Sequence, residues 1–99
     1  MVNQGVNPGS ELLDERALSK LRWRCRRGLL ENDLFIARFF DRFDKALNVR
    51  QADALGVLMD LSDNDLLDLF LARKSLAQVE ATLDSADFHE ILKMVRETR

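Results

Sequence analysis

Tyrosine is absent from these 99 residues, and isoleucine and threonine occur only twice each. Strand-favouring side chains are therefore too thinly spread to build a sheet. One proline and four glycines leave little of the punctuation that loop-rich or low-complexity chains carry. The single cysteine, Cys25, excludes an internal disulfide, and nothing suggests an oxidising compartment. Cys25 is expected to be a buried structural thiol. His89 is the only histidine, so no zinc site can be assembled from ordinary ligands, and it reads as a solvated helix residue. No stretch approaches the ~18 apolar residues of a membrane span, and Met1–Ser10 lacks the basic lead and apolar run of a signal peptide. A cytoplasmic protein without direct membrane insertion is expected.

Excess positive charge is missing too. The formal net charge is −2, which opposes bulk attraction to nucleic acid or anionic lipid. The charge is unevenly spread: Lys20, Arg22, Arg24, Arg26 and Arg27 form a basic cluster on an otherwise acidic chain.

What is present favours helices. Hydrophobic residues make up 46% and charged residues 32%, and the length suits one domain. Residues 1–10 carry two glycines, the proline and two asparagines without apolar periodicity, and read as a flexible leader to a single helical domain over 11–99. Ser10 is the expected N-cap of a first helix over 11–27, with Leu18, Leu21 and Cys25 on its apolar stripe. A second helix over 32–43 places Phe35, Ile36, Phe39, Phe40 and Phe43 on one face. Asn48 with Gln51 forms a capping-box-like start for a third helix over 49–60. Ser62 and Asp65 repeat the signal before a fourth over 63–73. The stretch 75–83 reads either as a loop with a helical turn or as an extension of the fourth helix. Asp84 or Ser85 opens a fifth over 85–97, with Phe88, Ile91, Leu92 and Val95 on its stripe. The fold class is all-α, a compact bundle of about five short helices. Its core should contain Phe35, Ile36, Phe39, Leu55, Leu58, Leu67, Phe70, Phe88, Ile91 and Leu92.

Catalytic signals are weak. Glu31 and Asp33 point ~200° apart on a helix and do not face each other as an acid/base pair. The run Asp60–Asp65 superficially resembles a calcium loop, but its sixth position lacks glycine and Leu71 stands where a bidentate Glu belongs, so helix capping explains it better. No nucleophile elbow or glycine-rich phosphate loop is present. An enzyme is not expected.

The remaining constellation is Trp23-Arg24-Cys25-Arg26-Arg27-Gly28-Leu29-Leu30-Glu31. Trp23 and Arg27 project within ~40° of each other on a helix, away from the Leu18/Leu21/Cys25 stripe. Aromatic and arginine side chains are enriched at binding hot spots, and Gly28 permits close backbone approach. Equally, Gly28 can be a helix stop flanked by basic residues that complement the dipole, with Trp23 packed on a neighbouring helix.

Here the sequence resembles the bacterial SdhE (YgfY-like) family, also met under the antitoxin name CptB. The family's mark is Arg-Gly-x-x-Glu after Trp-x-Cys-Arg, matched by Trp23, Cys25, Arg26, Arg27, Gly28 and Glu31, with Asp33 two residues after the Glu. The resemblance runs over about residues 20–98. Asn32 departs from it, standing where the family has an apolar residue, and so does Arg38, where a proline often precedes the two phenylalanines. The resemblance implies an FAD assembly factor, a chaperone for the flavoprotein subunit of succinate dehydrogenase and also of fumarate reductase. FAD would be attached covalently to that partner, and this chain, a monomer, would bind no cofactor or metal itself. Trp23, Arg26, Arg27, Gly28, Glu31 and Asp33 are the implied partner-binding residues. The alternative is an antitoxin-type regulator that binds another protein or nucleic acid.

Overall fold

Six helices succeed one another in the computed structural model, which describes residues 9–26 and 29–97. They are α1 (Glu15–Arg24), α2 (Leu30–Phe43), α3 (Val49–Leu58), α4 (Asp63–Phe70), α5 (Leu76–Val79) and α6 (Ala86–Glu97), with a 3₁₀ turn at Ala81–Leu83 between the last two. No strand occurs among the described residues; there is one isolated antiparallel bridge, Leu12 to Asn48.

That bridge corrects the expected start of the first helix. Ser10 is not its cap: Asp14 is, its Oδ1 accepting from Ala17 N at 2.8 Å. Gly9 turns at φ of 84°, and residues 10–13 run beside 47–50. Gly9 O accepts from Arg50 N at 2.9 Å, Glu11 O accepts from Val49 N at 3.0 Å, and Leu13 N donates to Leu47 O at 2.9 Å. The amides of Val49 and Arg50 open α3 and have no acceptor within their own helix, so the extended segment satisfies them. Most of the expected leader, residues 1–8, lies outside the described residues.

The other starts follow their caps. Asn48 and Gln51 form the expected capping box, with Gln51 N to Asn48 Oδ1 at 2.8 Å and Asn48 N to Gln51 Oε1 at 3.0 Å. Ser62 caps α4 through Asp65 N at 3.2 Å. In the stretch that periodicity left open, Ser75 and Gln78 build a second capping box around the single turn of α5. The loop-with-a-helical-turn reading is therefore the closer one.

The fourth helix ends at Phe70, three residues before the expected Arg73. Ala72 takes a left-handed conformation with φ of 60°. Arg73 N reaches Asp68 O at 2.8 Å and Ala72 N reaches Leu69 O at 3.1 Å, the two bonds of a Schellman stop. From α6, Arg96 closes the same end, donating through Nε and Nη2 to Leu69 O at 3.0 and 2.7 Å. Desolvation lowers the pKa of this guanidinium from its ordinary value.

One core joins every element. Phe39 and Phe70 are fully buried in it, and Phe35 meets the Phe70 ring at 5.3 Å between centroids. Nine of the ten expected core residues are buried. Phe88 is the exception: it is half-buried and packs on the rim of the cluster, beside Ala54 and Val57.

Candidate functional site

The end of α1 and the start of α2 enclose an open groove of about 610 Å³. Local sequence sets its walls. The α1 stripe turns Leu21 and Cys25 into the core, which leaves Trp23 pointing outward with 72% of its surface exposed. The Arg26 guanidinium lies 5.0 Å from the Trp23 ring centre. The two form a cation–π pair in contact with solvent. Arg22 forms the next part of this wall: it bonds Asp44 Oδ2 at 2.9 Å and stacks 4.9 Å from the Phe40 ring. Across the groove stand Asp33 and Asp41, and Ile36 and Phe40 line it as well. The groove thus offers two cations and an indole facing two carboxylates over an apolar base.

Of the residues marked by the sequence, Trp23, Arg26 and Asp33 meet here. Glu31 is exposed in the first turn of α2 and does not line the groove. Arg27 and Gly28, including the expected juxtaposition of Trp23 with Arg27, lie outside the described residues. The second helix starts at Leu30, not at the expected Asn32. Leu29 is its N-cap, and no side chain caps it.

Sequence reasoning missed Arg22 and Phe40 as parts of the groove, and also Leu30 and Leu34. These two leucines are 68% and 45% exposed beside Glu31. Their signal was available, since an apolar pair at i, i+4 opposite the Phe35/Ile36/Phe39 face has no core to enter. With Trp23 they account for three of the five large hydrophobic side chains exposed among the described residues.

Asn32 sits beneath this surface. It is fully buried, and its Nδ2 donates to Asp63 O at the start of α4 at 3.1 Å. Its Oδ1 has no hydrogen-bond donor.

Elsewhere, Cys25 is buried, as expected of a structural thiol. His89 is exposed on α6, with Nε2 2.6 Å from Asp84 Oδ1. The acidic run serves helix ends and ion pairs: Asp60 meets Arg24 at 3.1 Å and Ser62 caps α4. No group of three potential metal-binding side chains occurs among the described residues. None of the described helices is long and apolar enough to cross a membrane.

Residues 19–99 match the family model described as flavinator of succinate dehydrogenase, Sdh5. The chain is 45% identical over 83 residues to the FAD assembly factor SdhE of Ralstonia nicotianae, covering 84% of each chain. It is 30% identical over 81 residues to the protein of the same name from Coxiella burnetii, covering 82% of this chain and 90% of that one. A shorter match to the Vibrio vulnificus protein has 41% identity over 49 residues, covering 48% of this chain and 56% of the other. No solved structure matches the chain.

Proposed function

We propose that this chain, which belongs to the succinate dehydrogenase flavinator family, binds the flavoprotein subunit of succinate dehydrogenase and promotes covalent attachment of FAD to it. Its role is assembly, not catalysis. The observation that carries the reading is the exposed Trp23–Arg26 pair on a groove closed by Asp33, with Leu30 and Leu34 uncovered alongside. Aromatic and arginine anchors over an apolar base are the composition of a protein-binding hot spot.

The bond-forming chemistry belongs to the flavin and a histidine of the flavoprotein, since cofactors carry the hard steps and proteins orient them. FAD is held by the partner and not by this chain. The chain acts as a chaperone by favouring the attachment-competent arrangement of the flavoprotein, and its effect is bounded by its differential affinity for the two arrangements. Arg26 and Arg27 offer planar donors to partner carboxylates or carbonyls, Gly28 allows close approach, and Glu31 and Asp33 accept from partner cations or amides. The same surface serves the flavoprotein of fumarate reductase, and the chain works as a cytoplasmic monomer without a nucleic-acid partner.

The test is in-gel flavin fluorescence of the flavoprotein subunit produced with and without this chain. A fluorescent band that grows in its presence supports the reading. Equal bands would refute it.

A further inference from the structure

Among the described residues four charged side chains line the groove between α1 and α2, and two of them are already engaged. Arg22 is bonded to Asp44 and stacked on Phe40, and Asp33 has an interaction of its own. Arg26 and Asp41 are left without an opposite charge among the described residues. Arg26 has the face of Trp23 in its place. Asp41 is exposed, and its carboxylate makes no ion pair or hydrogen bond. Local structure gives no reason for an acid here, because Asp41 lies in the last turn of α2, where the carbonyl end of the helix favours cations. Its place relative to the leucines is more telling. Leu30, Leu34 and Asp41 project within ~40° of one another along α2, with Asp41 about 10 Å beyond Leu34. Asp41 thus ends the exposed leucine ridge and also lines the groove. A partner that covers Leu34 and enters the groove reaches this carboxylate, and covering it without a counter-charge opposes binding.

We infer that Asp41 is a partner-contact residue that selects a basic side chain, so that the flavoprotein segment seated in the groove places an apolar side chain on Ile36 and Phe40, with a Lys or Arg toward Asp41 and a carboxylate or carbonyl toward Arg26. The inference rests on the partner-binding role proposed above and extends the contact surface to the last turn of α2. The order of charges also sets direction. A segment entering the other way round would bring cation to Arg26 and acid to Asp41, and like charges set against each other reject it.

The experiment measures affinity for the succinate dehydrogenase flavoprotein subunit by calorimetric titration, and thermal unfolding, for the wild type, Asp41→Asn, Asp41→Arg and Asp53→Asn. Asp53 is an exposed acid on α3 that does not line this groove, so its variant matches the charge change of Asp41→Asn without touching the site. Asp41→Asn is expected to weaken binding by about tenfold or more and Asp41→Arg by about 100-fold or more, while Asp53→Asn binds as the wild type does. The Tm of Asp41→Asn should stay the same or rise, because an acid has left the carbonyl end of a helix. Wild-type affinity in both Asp41 variants, an equal loss in Asp53→Asn, or a fall in Tm alongside the loss of affinity would each overturn the inference and leave the functional reading intact. Absence of binding by the wild type would instead remove that reading and this inference with it.

Discussion

Replacing Trp23 with alanine is expected to separate the fold from the proposed docking surface, because the exposed indole contributes little to the one and, on the proposed function, much to the other. With 72% of its surface exposed, only about a quarter is removed from water by the chain itself. For a side chain of ~250 Å² at ~25 cal/mol per Å², that is on the order of 1.5 kcal/mol. Loss of the solvated cation–π contact with Arg26 adds about 0.5–1 kcal/mol. Alanine returns roughly 0.5 kcal/mol through its higher helix propensity in α1. The net cost to folding is thus about 1.5–2 kcal/mol at most, and extended-chain references overstate burial. If the partner covers the remaining three-quarters, the same arithmetic assigns about 4.5 kcal/mol to binding as an upper bound, and truncation of such an anchor typically costs about 2–4 kcal/mol. The expected result is a fold that stays intact at 25 °C with affinity for the flavoprotein reduced by about 30-fold or more. Circular dichroism and calorimetric titration on the same sample read both. Unchanged affinity would refute the docking assignment, and loss of the folded state would show that Trp23 serves the core after all.

Phe39→Ala should do the reverse. The ring is fully buried against Phe40 and Phe43, so about 3–5 kcal/mol of stability is lost, seen as a fall in Tm of about 12 °C or more. Ala72→Gly should stabilise by about 1 kcal/mol, because the left-handed conformation at φ of 60° strains a residue with a Cβ and suits glycine; chemical denaturation would show a higher midpoint with an unchanged slope. In native-state hydrogen exchange, the Asp33 amide should be less protected than those of Ala52 and Leu66. All three donate to their helix's N-cap carbonyl, but only the helices of Ala52 and Leu66 begin with a side-chain cap. Equal protection would show that the start of α2 is as firmly held as the others.

Elements with a periodic apolar face or a polar cap were legible in the sequence. The phenylalanine stripe of α2, the Asn48/Gln51 box and the α6 stripe stand where periodicity and capping put them. The errors fall where a tertiary contact replaced a local signal. Ser10 is a good N-cap residue, but the backbone around it is taken up by pairing with residues 47–50, so the helix waits for Asp14. Asn32 is likewise a good cap residue, yet it is drawn into the core by the Asp63 carbonyl, and α2 begins two residues earlier without a cap. Ala72 gives no warning of a helix stop, because nothing in an alanine announces a left-handed conformation. At the site, residue types were legible and their grouping was only partly so. Trp23, Arg26 and Asp33 meet across the groove, but Arg22 looked like one cation among five until Asp44 and Phe40 fixed it in the wall.

The distribution of stabilising features separates scaffold from surface. Helices α3 and α4 begin with side-chain caps, α4 ends in a Schellman motif reinforced by Arg96, and the core closes around Phe39 and Phe70. The α1–α2 junction has the opposite features: an exposed tryptophan, two exposed leucines, an uncapped helix start and a buried amide oxygen without a donor. Each is a cost that a free-standing bundle gains nothing from, and each sits within one turn of the groove. Local rules that fail together in one place, in a chain that keeps them elsewhere, mark the region shaped by something outside the fold. On the function proposed above, that influence is a partner that covers the indole and the leucines, which would turn the same features from costs of folding into terms of binding.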